Sequence, residues 1–191
     1  MSRPITIVSG LPRSGTSMMM KMLEAGGMEP VTDNIRKPDI DNPRGYYELE
    51  RVKKIQEDAS WLGDTQGRVF KMVAMLLQHL PPTFEYQVVF MQRDMGEMLA
   101  SQAKMLKRLG TQGGDVDPDR MAEIFRGQIE KIRRWLDTQA NIDVLFVDYA
   151  SVLKEPEQQA DRINAFVEQD LNIESMAKIV DPSLYRNRVR Q

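Results

Sequence analysis

The sequence predicts a three-layer α/β/α domain with a central, mainly parallel sheet. Three observations carry that expectation. Short apolar runs recur at Ile5 to Val8, Gln87 to Met91 and Asp143 to Val147, the first rich in β-branched residues as a strand covered on both faces is, the other two further strand candidates. Helical patterns lie between them, an alternation that specifies parallel strands joined by crossover helices. The first run leads into GLPRSGTSMMM, Gly10 to Met20, the strand, glycine-containing turn and helix with which α/β proteins hold anions.

Taken in order, Ile5 to Val8 is the first strand, and Thr16 to Ala25 the first helix, ended by Gly26 and Gly27, residues suited to a helix stop. Met18, Met19 and Met20 in that helix are expected to fill core against the sheet. NPRG, Asn42 to Gly45, marks a loop, and Arg68 to Phe70 is a weaker strand. After QVVFM, the apolar residues Met98, Leu99, Met105, Leu106 and Leu109 make one buried stripe. From Pro118 to Gln139, Met121, Phe125, Ile129, Ile132 and Leu136 make another. Asp117 and Pro118 suit the cap and first turn of that helix, and GTQGGDVD before it is a connection. A final helix spans Pro156 to Leu171, and DPSLYRNRVRQ has no clear period. With no repeat, low-complexity tract or compositional break, residues 1–191 are expected to form a single domain.

Composition removes several classes of function. A length of 191 residues supports one substantial core and not two comfortable ones. The net charge of −2 holds no basic surplus, so no nucleic-acid partner is expected. There are no cysteines and a single histidine, His79, which excludes thiolate and multi-histidine metal centres and disfavours a Ser-His-Asp triad. Only Arg3 precedes the apolar ITIV, short of a signal peptide, and no stretch has the length of a membrane span. A cytoplasmic protein without a membrane partner is the expectation, and the sequence leaves oligomeric state open.

The Gly10 loop resembles the triphosphate-binding pattern G-x-x-x-x-G-K-[ST], with Gly10, Gly15 and Ser17 in register and Thr16 at the lysine position. Backbone N–H groups at the helix start form an anion site without any side chain. Ser14, Thr16 and Ser17 add hydroxyl donors and Arg13 adds a charged fork.

PRSGTS after a first strand resembles the 5'-phosphosulfate loop of the sulfotransferases that use 3'-phosphoadenosine 5'-phosphosulfate, in which Lys or Arg precedes Ser-Gly-Thr; Arg13 matches. The resemblance implies the sulfotransferase fold, that donor as cofactor, adenosine 3',5'-bisphosphate as product, and no metal. Such a donor carries no β- and γ-phosphates for a lysine to reach. The family also binds the 3'-phosphate with an Arg at a later strand's end and a Ser eight residues on, and QVVFMQRDMGEMLASQ places Arg93 and Ser101 at that separation. VLFVDYASVLKEPEQQADRINAFV is similar to the family's late strand, Tyr-Glu-Asp-Leu type turn and helix. DPSLYRNR is similar to C-terminal segments of bacterial members, which would let Arg186 and Arg188 help hold the 3'-phosphate end.

By the same resemblance, RVFKMVAMLLQHLP lies where cytosolic members carry Lys-Thr-His-Leu-Pro. Lys71 matches the lysine that contacts the donor, but Val73 stands at the position of the histidine base. Asn-Pro-x-Gly-Tyr-x-Glu, present here as NPRGYYE, is similar to a loop of bacterial and Golgi-type members. It makes Glu48 the candidate base, with Tyr46 and Tyr47 beside it to raise its pKa by burial. Glu48 also reads as a first-turn helix acid, and His79 as a capping or surface histidine. The expected acceptor is a hydroxyl or amine of a small molecule or glycan, held by loops near residues 28–66 and 108–120. Two alternatives remain at this level. VLFV ending in Asp148 has the look of a magnesium-organising strand of a nucleotide kinase or NTPase. The absent histidine fits a non-catalytic cofactor-binding homologue.

Overall fold

The computed structural model describes residues 3–33, 35, 45–108 and 117–181. Its centre is a sheet of four strands, β1 (Ile5–Gly10), β2 (Val69–Val73), β3 (Tyr86–Gln92) and β4 (Ile142–Asp148). They lie in the order β2-β1-β3-β4 and every neighbouring pair is parallel. Around them run α1 (Thr16–Gly26), α2 (Glu50–Lys53), α3 (Met95–Arg108), α4 (Pro118–Leu136), α5 (Tyr149–Lys154), α6 (Pro156–Val167) and α7 (Ile173–Lys178). Two 3₁₀ segments, Ser60–Thr65 and Ala74–His79, flank β2 in sequence.

Strand alternation divides the core into two halves, one on each face of the sheet. Ile5, Ile7, Phe70, Met72, Tyr86, Val88 and Phe90 join Trp61, Leu62, Leu77, Ile132 and Leu136 on one side. Val8, Val69, Val89 and Met91 join Met19, Met20, Met22, Ile163, Val167 and Met176 on the other. The layers are therefore helix, sheet and helix. Met19 and Met20 are fully buried and Met18 packs against the same cluster, so these methionines are core. The open edge of β2 is covered by the chain leaving α1: Val69 N donates to Glu29 O at 3.0 Å and Val31 N to Val69 O at 2.7 Å, which satisfies backbone groups that an edge strand leaves exposed.

The expected elements are present with three corrections. The weak strand at Arg68 to Phe70 is Val69–Val73, so it carries Lys71 within it. The helix expected over Pro156 to Leu171 stops at Val167, where Glu168 takes a left-handed φ of 50°, and α7 follows, capped by Asn172 Oδ1 accepting from Ser175 N at 2.8 Å. At 6 residues α7 makes fewer than two turns, too few to show a period. It also explains Gly26, which is not a stop but lies inside α1. A Cβ there would come within 2.8 Å of Met176 Cγ, so the small residue lets α7 pack on α1, and Gly27 at φ 108° ends the helix. The loop residues 42–44, Leu109 and the connection from 110 to 116 fall outside the described residues.

Candidate functional site

In an open parallel sheet, ligands bind beyond the carboxyl ends of the strands where the chain order reverses. Here β1 leads to β2 on one side, and the chain then crosses back to β3 on the other. The reversal lies between β1 and β3, whose ends pair Gly10 with Met91. The Gly10 loop leaves from this point.

The loop is closely fitted. A Cβ on Gly10 would lie 2.5 Å from Ser14 Oγ and 2.7 Å from Met91 O, so no larger residue admits the turn. Gly15 caps α1 in the left-handed region at φ 101°, and a Cβ there would strike the Tyr149 ring at 2.5 Å. Arg13 is also left-handed, at φ 69°, a conformation that costs a non-glycine residue about 1 to 3 kcal/mol. Ser14 Oγ is buried and has no hydrogen-bond partner among the described residues. An unmet buried hydroxyl costs about 1 to 3 kcal/mol, a cost an anion seated in the loop would remove. Thr16 and Ser17 open α1, whose first turn carries no acidic residue, so the positive end of its dipole is not offset there. The loop thus fits a phosphate or sulfate group.

Arg93 and Ser101 come to this loop from β3 and α3. Arg13 Nε donates to Ser101 Oγ at 3.0 Å, and Arg93 NH1 donates to Arg13 O at 3.3 Å. The guanidinium of Arg93 lies 4.4 Å over the Tyr149 ring and is paired through Nε with Glu97 Oε2 at 3.1 Å. Tyr149 thus stands between Gly15 of the loop and Arg93. Burial pushes its phenol up, with Arg93 drawing it down and Glu97 raising it again, so the ring stays neutral and serves as a face for the cation.

Lys71, from the middle of β2, donates to the carbonyl oxygen of Tyr46, and Ser17 Oγ donates to the same oxygen at 3.5 Å. That carbonyl ties the segment carrying Glu48 to the loop. Glu48 itself is half-buried and lies outside any helix; Glu50, not Glu48, is the first-turn acid of α2. Its backbone oxygen accepts from Thr32 Oγ1 at 2.9 Å and Asp33 N at 3.2 Å. Lys53 is held charged first by its hydrogen bond to Glu50 and further by the charges of Glu48 and Asp33. Tyr47, at φ 51°, donates to Glu24 Oε2, and burial followed by that bond pushes its phenol well up. His79 closes a 3₁₀ segment, with its Nε2 2.9 Å from Gln56 Nε2. Asp148 is engaged as the cap of α5, accepting from Ser151 N at 2.8 Å and Ser151 Oγ at 3.0 Å.

The family model of the sulfotransferase domain matches residues 3–188. The chain belongs to the sulfotransferase family. Solved structures similar to this sulfotransferase include the sulfotransferase domain from the curacin biosynthetic pathway, 16% identical with a TM-score of 0.54, covering 94% of this chain and 78% of that one. Another is the mouse sulfotransferase SULT7A1 complexed with PAP, 18% identical with a TM-score of 0.58, covering 95% of this chain and 63% of that one. This sulfotransferase spans less than two thirds of the mouse protein. Both likenesses show the parallel-sheet fold. No curated protein sequence matches significantly. Among the described residues no helix is long and apolar enough to cross a membrane.

Of the site residues expected from sequence, Arg13, Ser14, Gly15, Thr16, Ser17, Arg93 and Ser101 meet at the ends of β1 and β3. Lys71 and the Glu48 segment join them through Tyr46. Arg186 and Arg188 lie outside the described residues. Sequence reasoning missed Glu97 and Tyr149. A carboxylate four residues after a strand-end arginine, and an aromatic ring at the exit of the next strand in the sheet, were the signals available for them.

Proposed function

We propose that this sulfotransferase moves a sulfuryl group from 3'-phosphoadenosine 5'-phosphosulfate to a hydroxyl or amine of a small-molecule or glycan acceptor, as one domain without a metal. The observation that carries this reading is the direct linkage of Arg13 to Ser101 and of Arg93 to the Arg13 carbonyl. That linkage brings together an anion loop and a second basic group one helix away, as a nucleotide with phosphates at both ends requires. The donor, when bound, supplies an activated sulfuryl group attached to an adenosine bisphosphate leaving group.

The loop amides, Ser14 Oγ, Thr16 and Ser17 hold the 5' end, where the orphaned Ser14 hydroxyl and the helix dipole favour negative charge. Arg93 and Ser101 hold the 3'-phosphate, and Arg186 and Arg188 are assigned to the same end. Arg13 and Lys71 offset the negative charge that develops on the leaving oxygen. Glu48 takes the proton from the acceptor's hydroxyl or amine, its segment held against the loop by Lys71 and Ser17 through Tyr46 O.

Incubation with the donor and a panel of phenols, alcohols, amines and oligosaccharides, with adenosine 3',5'-bisphosphate measured as product, tests the reading. Acceptor-dependent release is expected. Tight binding of ATP with magnesium and none of the bisphosphate would replace it with a nucleotide kinase or NTPase, and bisphosphate binding without transfer to any acceptor would replace it with a non-catalytic homologue.

A further inference from the structure

We infer that Glu97 is a positioning residue for recognition of the donor's 3'-phosphate and acts through Arg93. The inference rests on the assignment of Arg93 to that phosphate. Glu97 and Arg93 are paired at 3.1 Å with side chains only 6% and 9% exposed. A carboxylate buried beside a phosphate site is electrostatically adverse: a bound phosphomonoester brings a charge of about −2, and Glu97 cancels one of the two positive charges that Arg13 and Arg93 place there. Stability does not account for it, because the desolvation of a buried ion pair largely offsets its attraction.

Nor does helix capping explain why Glu97 Oε2 meets Arg93. Asp94, Met95, Gly96 and Glu97 have the spacing of a capping box, in which the fourth residue's carboxylate turns back to the cap. Asp94 fills its half, its Oδ1 accepting from Glu97 N at 3.0 Å, while Glu97 Oε2 is bound by Arg93 Nε. With Nε held by Glu97, the plane held against Tyr149 and NH1 on the Arg13 carbonyl, the guanidinium has one orientation. A planar fork set in advance loses less freedom when it meets a phosphate.

A bystander carboxylate and a positioning one therefore predict opposite signs. Removing a bystander charge tightens phosphate binding; removing a positioning one weakens it although the site becomes more positive. Calorimetric titration with adenosine 3',5'-bisphosphate and with adenosine 5'-monophosphate separates them. The unaltered protein should prefer the bisphosphate, and Arg93→Ala should erase the preference. Glu97→Gln should raise the bisphosphate Kd about tenfold and leave the monophosphate Kd unchanged, which also shows that the variant is folded. Glu97→Asp, which keeps the charge one methylene further back, should raise it only about threefold; this variant carries the comparison alone should the amide not fold. Bisphosphate affinity that is unchanged or tighter in both Glu97 variants overturns the inference, as does equal weakening of both nucleotides. Absence of a preference in the unaltered protein, or its persistence in Arg93→Ala, overturns the assignment of Arg93 itself.

Discussion

At the ends of β1 and β3 the polar groups are fixed by strand exits and by one another: a left-handed Arg13, a buried Ser14, and Arg93 held by Glu97 and Tyr149. Around Tyr46 and Glu48 the groups belong to a segment with little regular structure, whose Tyr46 carbonyl oxygen accepts from Ser17 at the end of the loop and from Lys71 of β2. The first arrangement suits a ligand that is always the same, and the second suits one that differs from enzyme to enzyme. A donor site can be built into the sheet, whereas an acceptor site belongs on loops positioned by it.

Substitutions at four positions probe that division, beginning with the largest effect. Glu48→Gln should lower kcat by about 100-fold to 10,000-fold, the range for loss of a general base, while bisphosphate affinity by titration stays as it was; a matching loss of affinity would make the two regions one. Gly15→Ala should do the reverse. Its left-handed φ and the Tyr149 ring 2.5 Å from the new Cβ should destabilise the fold by about 2 kcal/mol or more in chemical denaturation and abolish nucleotide binding.

Lys71→Met tests the boundary between the regions. Because Lys71 reaches the Tyr46 carbonyl, the variant should reduce kcat by about 100-fold and also raise the acceptor KM. An unchanged acceptor KM would mean that the carbonyl contact does not position the Glu48 segment. Tyr149→Leu should have the smallest effect, weakening the bisphosphate by about 1 kcal/mol through loss of the cation–π contact, with Tyr149→Phe close to the unaltered protein. A large loss in the Phe variant would show that the hydroxyl, rather than the ring face, is used.

The donor half was readable in the sequence because its parts stand at fixed spacings from apolar strands. PRSGTS follows β1 directly, and Arg93 with Ser101 spans the exit of β3 and two turns of α3. Periodicity also revealed α3 and α4, whose lengths exceed two turns. The signal for Glu97, a carboxylate four residues after Arg93, was ambiguous, since DMGE also has the pattern of an ordinary capping box, and only the packed structure shows its carboxylate on Arg93. The bridging role of Tyr46 escaped for a deeper reason: its backbone oxygen makes the contact, and no side-chain pattern encodes a carbonyl's position. The same holds for α7, hidden by its shortness and betrayed only by Gly26.

The central claim is that the β1 loop and the β3 exit form one donor site through Arg13 and Arg93. Calorimetric titration of adenosine 3',5'-bisphosphate into the unaltered protein, Arg13→Ala and Arg93→Ala tests it most directly. Binding by the unaltered protein, with affinity about thirtyfold or more weaker in each variant, is the predicted result, since truncating a buried charged partner costs about 2 kcal/mol or more. Undiminished affinity in both variants, or no binding by the unaltered protein, would contradict it.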